Sequence, residues 1–171
     1  MLIHGWVLYR LTGSLEALAS SVAKCYEIIK GIMMCYQFSV TSSGRMKGVN
    51  PELIIVFMEA IKSSPIDFGI PEYGGLRTAT EQNKLYSKRR SKCDGVLTLS
   101  NHQKGDALDF YAYLNGKASW QPTHLAMVAS CILTTAVRLK REGKISIELT
   151  WGGTFGSTGF NGWDMPHIEV K

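Results

Sequence analysis

An apolar face runs along the whole of segment 122–141, and this pattern predicts one long helix that packs against a core. Pro122 stands at the first helical position, where proline is well tolerated, and Gly143 follows as a stop signal. A helix of this length needs other elements to cover its apolar face. The predicted inward residues are Leu125, Val128, Ala129, Ile132, Leu133, Ala136 and Leu139.

Two further helices have clear start signals. Segment Asn50–Glu52 combines an N-cap, a proline at the first helical position and an acid in the first turn. The apolar face that follows extends to Ser63. Thr78 and Glu81 have the spacing of a capping box, which predicts a polar helix that runs to about Arg90.

Short apolar segments between the helices predict β-strands. Because these helices and strands do not alternate in a regular βαβ order, the sequence predicts an α+β domain. The predicted strands cover residues 68–70, 107–113, 145–151 and 168–170.

The first part of the chain has weaker patterning than the rest. Residues 1–35 hold apolar residues at loosely helical spacing, and residues 41–45 (Thr-Ser-Ser-Gly-Arg) predict a turn or linker. A chain of 171 residues has the length of one ordinary domain. We therefore predict an N-terminal extension of uncertain role at 1–35 and one domain at 36–171.

The net charge and the cysteines restrict the partners and the compartment. A net charge of +5 is compatible with nucleic acid, a membrane surface or cell wall, and it does not choose among them. The cysteines lack any paired spacing, which is typical of reduced thiols in a protein made in the cytoplasm. They are Cys25, Cys35, Cys93 and Cys131.

Neither a membrane span nor an export signal is predicted. No stretch reaches the roughly 18 uncharged apolar residues that a span needs, because charged residues interrupt the apolar N-terminus. The N-terminus also lacks the basic start, apolar middle and cleavage site of a secretory signal. We therefore expect synthesis in the cytoplasm without a signal peptide.

Segment Ser100–Asp109 carries the first candidate site. It places His102 in a predicted loop and Asp109 in the strand that follows, and both side chains are zinc ligands that bond at roughly 2.0–2.2 Å. Gly105 would let the loop turn so that the two side chains converge. Asp109 lies among apolar residues, where a carboxylate is costly unless it is paired or bound to a metal.

A third candidate ligand, His167, opens the apolar strand at the C-terminus, and Asp164 precedes it by three residues. Three protein ligands and one open position are the arrangement of catalytic zinc sites. Zinc lowers the pKa of a water molecule to about 7, and a nearby carboxylate can take the proton. On spacing alone, a structural, hydrogen-bonded role for each of these residues is favoured over a metal site.

Segment Ser100–Asp109 also matches the signature S-x-H-x-x-G-x-A-x-D at every fixed position. The chain thereby resembles the D-alanyl-D-alanine carboxypeptidase (VanY-like) metallopeptidases, and in particular the phage endolysins of the L-alanyl-D-glutamate peptidase kind. The resemblance extends over about residues 38–171. Its other parts are Gly75–Thr78, Asn115–Lys117 with Trp120, Trp151–Gly153 and a final Asp-x-x-His.

The resemblance implies a zinc enzyme and assigns roles to individual residues. Asp164 corresponds to the general base. Arg77 corresponds to the arginine that faces the substrate carboxylate or the developing oxyanion, where a guanidinium offers charge-assisted hydrogen bonds. Ser100 and Gln82 stand at signature-like positions, and we assign them supporting roles. The residues that correspond to the zinc ligands are His102, Asp109 and His167.

The implied fold is a small α+β domain of the Hedgehog/DD-peptidase-like kind, with an antiparallel sheet flanked by helices and zinc at the open face of the sheet. The implied reaction is zinc-dependent hydrolysis of the peptidoglycan stem peptide between L-Ala and D-Glu, by a phage or prophage lysis enzyme that reaches the cell wall after release. We expect a monomer that binds peptidoglycan and no nucleic acid.

Two alternatives remain open for the same fold. One is a D-Ala-D-Ala carboxypeptidase, and the other is a catalytically silent zinc-binding module for cell-wall attachment. Asp164 argues against the silent module, because a structural metal needs no free carboxylate beside a ligand. Among the surface features, the basic run at 88–92 is interpreted as a solvated helix end, and Trp120 and Trp151 are predicted to pack in the core.

Overall fold

The computed structural model describes residues 20–22, 35–156 and 162–171. The chain divides into two compact units, Met1–Met34 and Cys35–Lys171. In the first unit, the described residues 20–22 are helical. Every element named below belongs to the second unit.

The described part of the second unit is built from short helices, two longer helices and short strands. The helices are α1 (Val40–Arg45), α2 (Pro51–Ser63), α3 (Ala79–Ser87), α4 (Asn101–Lys104) and α5 (Pro122–Arg141). The strands are β1 (Asp67–Gly69), β2 (Ala107–Asp109), β3 (Tyr111–Leu114), β4 (Lys117–Ser119), β5 (Leu149–Trp151) and β6 (His167–Val170).

The strands form two small antiparallel sheets, with strand orders β1-β3-β4 and β2-β6-β5. This confirms the predicted α+β class, with two sheets where one was expected. The second sheet is the one that carries the candidate site, because β2 and β6 pair so that Asp109 lies opposite His167.

Helices α2 and α5 pack against each other to form the core. Asn50 caps α2 as predicted, since its side chain accepts a hydrogen bond from the backbone N–H of Glu52 at 3.0 Å. Within the described residues, α5 is the one helix long and apolar enough to cross a membrane by length and composition. Its inward face instead lies in the core of the domain, through Leu125, Val128, Ala129, Ile132, Ala136 and Leu139.

The prediction of a turn or linker at residues 41–45 was wrong, because these residues lie in α1. The side chain of Ser39 caps the helix by accepting from the backbone N–H of Ser42 at 3.1 Å. The buried hydroxyl of Ser42 in turn accepts from the backbone N–H of Ile70 at 3.2 Å. Serine hydroxyls therefore cap and anchor a short helix here, although the same residues are common in turns.

The prediction of one strand over residues 107–113 was also wrong. The segment forms β2 and β3, which belong to different sheets, and the buried Phe110 lies between them. The backbone N–H of Phe110 donates to the carbonyl oxygen of Pro166 at 2.9 Å. A continuous apolar segment has no alternation that would reveal a change of partner strand.

Candidate metal site and active-site cleft

The structure brings the three predicted ligands together. His102 lies on α4, Asp109 ends β2 and His167 begins β6. His102 Nε2 is 3.1 Å from Asp109 Oδ1 and 3.1 Å from His167 Nδ1, and the third side, from His167 Nδ1 to Asp109 Oδ1, is 3.0 Å. His102 was predicted in a loop, but it lies in a one-turn helix that ends at Gly105 with φ +78°.

The outer nitrogen of each imidazole ring faces a group that can only accept a hydrogen bond. His102 Nδ1 lies 2.9 Å from the carbonyl oxygen of Gly75, and His167 Nε2 lies 3.0 Å from Oε2 of Glu169. Each outer nitrogen therefore carries a hydrogen and donates it. In the neutral rings the inner nitrogens then present lone pairs, so that three acceptor atoms converge on one point.

Such a cluster attracts positive charge, and the pKa values reflect this. Burial opposes ionisation of Asp109, but attraction to His102, hydrogen bonds from both histidines and the charge of Arg77 hold the pKa of Asp109 well below its usual range. Burial also lowers the pKa of His167, yet the hydrogen bond and charge of Asp109 outweigh this effect and raise the pKa to about 9. A metal ion that binds here must displace a proton from the cluster.

The donor set fits a zinc ion. Tetrahedral zinc with bonds of about 2.0–2.2 Å separates its ligand atoms by about 3.3–3.6 Å, which is close to the 3.0–3.1 Å observed between these atoms. Two imidazole nitrogens and one carboxylate oxygen also leave a fourth position open, as catalytic zinc sites do. The three residues His102, Asp109 and His167 can therefore hold one metal ion.

Gly75 explains how the short helix α1 contributes to the site. A Cβ atom at Gly75 would collide with the carbonyl oxygen of Arg45, the last residue of α1. The absence of a side chain lets the two backbones meet, and it leaves the Gly75 carbonyl oxygen as the acceptor for His102 Nδ1. The helix that the sequence did not predict thus supports the position of a candidate ligand.

Arg77 lies at the second oxygen of Asp109. Its Nη2 forms an ion pair with Asp109 Oδ2, its Nε donates to the carbonyl oxygen of Tyr73, and its Nη1 donates to Gln82 Oε1 at 3.4 Å. The buried Gln82 also accepts from the hydroxyl of Ser100 at 2.9 Å. These positions are compatible with the supporting roles expected of Gln82 and Ser100. Gln82 accepts a hydrogen bond from Arg77, and Ser100 donates one to Gln82.

Asp164 lines the same cleft as the cluster. Its backbone carbonyl accepts from the N–H of His167 at 3.1 Å, and a Cβ atom at Gly152 would collide with that carbonyl oxygen. Burial raises the pKa of Asp164, and the negative charge of Asp109 raises it further. A carboxyl group whose pKa is raised in this way is suited to exchange protons during a reaction.

A cleft of about 640 Å³ lies over the cluster, a size within the range of small-ligand sites. Trp120 and Trp163 line it with 52% and 58% of their surface exposed. The prediction that Trp120 packs in the core was therefore wrong, and its ring lies 5.8 Å from the ring of Tyr111. The matching prediction for Trp151 was correct, because that residue is buried.

The basic run at residues 88–92 directly follows α3, with Lys88 as the C-cap, and its basic side chains are exposed, which agrees with the interpretation as a solvated helix end. Helix α3 ends at Ser87, and Arg90 and Lys92 beyond it line the cleft. Lys92 Nζ lies 4.2 Å from the ring centroid of Trp163, a cation–π contact. The sequence did not predict that Arg90 and Lys92 line the cleft, because charge and spacing do not show where a chain turns after a helix.

This combination of fold and site defines a class of protein. A small α+β domain with two antiparallel sheets, and with a His–Asp–His cluster in the cleft beside one of them, has the Hedgehog/DD-peptidase-like fold. Many peptidases with a catalytic metal hold it with three side chains of this kind and keep a further carboxylate nearby.

Comparison with known proteins identifies the family. A sequence model of the phage L-alanyl-D-glutamate peptidase family matches residues 34–170. The L-alanyl-D-glutamate peptidase of Escherichia phage T5 is 29% identical over 139 residues, which cover 81% of this chain and 91% of that protein. The chain belongs to the phage L-alanyl-D-glutamate peptidase family.

A solved structure agrees with this assignment. The crystal structure of the Serratia marcescens L-Ala D-Glu endopeptidase ChiX is similar with a TM-score of 0.65 and 25% sequence identity. The similarity covers 81% of this chain and 92% of that one. Both relatives are named as peptidases of the L-Ala–D-Glu bond, and this does not support the carboxypeptidase alternative.

Proposed function

We propose that this protein is a zinc-dependent peptidoglycan endopeptidase that hydrolyses the stem peptide between L-Ala and D-Glu. The observation that carries the proposal is the convergence, in an open cleft, of three atoms that can each bind a metal ion once the cluster loses its proton, from His102, Asp109 and His167. Membership of the family supports the choice of substrate. The enzyme would act on the cell wall in phage or prophage lysis.

The chemistry of the site divides among a few residues. A zinc ion held by the three ligands would polarise the scissile carbonyl and lower the pKa of the attacking water. Asp164 takes the proton of that water and passes it to the leaving amine of D-Glu, as a general base and then a general acid. Its raised pKa suits both steps, because a carboxyl group that holds a proton too weakly cannot return it.

Arg77 stabilises negative charge in this mechanism. A guanidinium has five N–H donors, and three of the Arg77 nitrogens are engaged with Tyr73, Gln82 and Asp109. Its Nη1 and Nη2 each keep one further N–H, which can donate to a substrate carboxylate or to the developing oxyanion. The contacts within the protein keep the guanidinium in one orientation before substrate binds.

Analysis of the digestion products tests the proposed function. Purified peptidoglycan is incubated with the wild-type protein, and the fragments are identified by mass spectrometry. New N-terminal D-Glu is expected. Release of a single D-Ala would contradict the proposal and identify a carboxypeptidase, and binding to cell wall with no cleavage would identify a silent module.

Replacement of Arg77 by lysine is expected to reduce the rate of digestion strongly. Lysine keeps the charge but loses the forked geometry, and removal of one well-placed oxyanion donor typically costs about 10²–10³ in rate. Zinc content and Tm are expected to stay near those of the wild type. The matched control is Arg138→Lys, since Arg138 forms an exposed ion pair with Glu142 on α5. Normal digestion by Arg77→Lys and Arg77→Ala would show that Arg77 has no catalytic role.

We propose that residues 36–171 form the catalytic domain and that residues 1–35 are an extension outside it. A shortened protein that begins at Met34 is expected to fold, bind zinc and digest cell wall at about the wild-type rate. Its Tm and digestion rate are compared with those of the full chain. A large fall in Tm, or insolubility, would show that the first segment stabilises the domain.

A further inference from the structure

Glu169 lies on the outer side of His167, away from the three converging atoms. Its Oε2 is 3.0 Å from His167 Nε2, while His167 Nδ1 faces Asp109. The two residues lie on the same face of β6, because successive side chains of a strand alternate. Its side chain is largely shielded, with 23% exposed.

A second side chain holds Glu169 in place. Asn101 Nδ2 donates to the same oxygen, Glu169 Oε2, at 2.7 Å. Asn101 is the first residue of α4 and directly precedes the ligand His102. A hydrogen bond across the site therefore joins Asn101, which precedes His102 on α4, to Glu169, which lies two residues after His167 on β6.

The two ligand histidines are supported differently. His102 donates to a backbone carbonyl, which is neutral and fixed by the chain fold. His167 donates to a carboxylate, which carries a charge and depends on a side-chain conformation. A carboxylate behind a metal-binding imidazole fixes the orientation of the ring and makes the opposite nitrogen a stronger ligand.

We propose that Glu169, held by Asn101, is a positioning residue that directs His167 Nδ1 toward the metal and strengthens metal binding. The inference rests on the metal site proposed above and extends it by two residues. Glu169 is not a ligand in this arrangement, because the group that can hold a metal consists of His102, Asp109 and His167.

Zinc affinity of the purified protein tests this role. Zinc is removed and the Kd is measured by competition with a coloured chelator, without substrate. Glu169→Ala is expected to weaken binding by about 10–100-fold. Glu169→Gln is expected to lose less, because the amide oxygen still accepts from Nε2 but carries no charge. Asn101→Ala should give a smaller loss of the same kind.

The control is Glu148→Ala, since Glu148 forms exposed ion pairs with Lys140 and Lys171 away from the cleft. Its Kd for zinc is expected to equal that of the wild type. The Tm of each zinc-free variant is recorded, and an unchanged Tm shows that a loss of affinity does not come from unfolding. Glu169→Gln has nearly the same shape as the native residue and serves if the alanine variant does not fold.

The outcomes separate this inference from the proposed function. Wild-type zinc affinity in both Glu169 variants would overturn the positioning role, and a raised KM with unchanged affinity would make Glu169 a substrate contact instead. If affinity falls as expected and saturating zinc restores digestion, the inference stands. If affinity falls but the wild-type protein does not cut the L-Ala–D-Glu bond, only the proposed function fails.

Discussion

Alanine at His102 or at His167 is expected to remove most of the zinc from the protein and to abolish digestion of cell wall. The wild-type protein should contain about one zinc per chain, because three ligands define a single site with one open position. Each histidine supplies one corner of a triangle of atoms that lie 3.0–3.1 Å apart. Zinc content is measured by elemental analysis, and activity by the release of peptidoglycan fragments.

The size of the effect follows from ligand energetics. Four ligands in structural zinc sites supply apparent binding free energies of about 10–16 kcal/mol, or about 3 kcal/mol for each ligand. Loss of one ligand should therefore weaken zinc binding by about 10²-fold. His124→Ala is the control, since the His124 side chain forms a hydrogen bond with Ser119 and lies outside the cluster. Full zinc content in both ligand variants would refute the assignment.

Part of the candidate ligand cluster could be predicted because two of its residues lie close together in the sequence, at a characteristic spacing. The signature at Ser100–Asp109 places a histidine and a carboxylate on adjacent elements. In the structure His102 Nε2 lies 3.1 Å from Asp109 Oδ1. The pairing of β2 with β6, which brings His167 opposite Asp109, is a long-range contact. Spacing alone left that contact open, and only the resemblance to a family predicted it.

The supporting structure could not be predicted in the same way. The sequence predicts a turn or linker where α1 lies, because its serine and glycine residues favour turns as well as short capped helices. Glu169 was not singled out, since a glutamate in a terminal strand usually faces solvent. The sequence predicts Trp120 in the core, because aromatic residues usually pack there. Helix α1 and Glu169 depend on contacts with distant parts of the chain, at Ile70 and Asn101, which local patterns do not record.

Replacement of Asp164 by alanine is expected to reduce the rate of digestion by about 10²–10⁴ while zinc remains bound. Asp164 lines the cleft beside the cluster, and burial together with the charge of Asp109 raises its pKa. A carboxyl group in that position can take a proton from water and return it to the leaving amine. Asp164→Asn removes this capacity with little change of shape, so that it should reduce the rate as strongly as alanine does.

The matched control for Asp164 is Asp106→Asn. Asp106 accepts a hydrogen bond from Asn50 at 3.4 Å, and an asparagine oxygen can still accept it. This variant should keep both its zinc and its activity. Zinc content and digestion rate are measured on the same preparations of all three variants. Loss of zinc together with activity in the Asp164 variants would make Asp164 a ligand, and an unchanged rate would remove it from the mechanism. If all three variants retain zinc, and only Asp164→Ala and Asp164→Asn have a reduced digestion rate, Asp164 is identified as the group that transfers the proton.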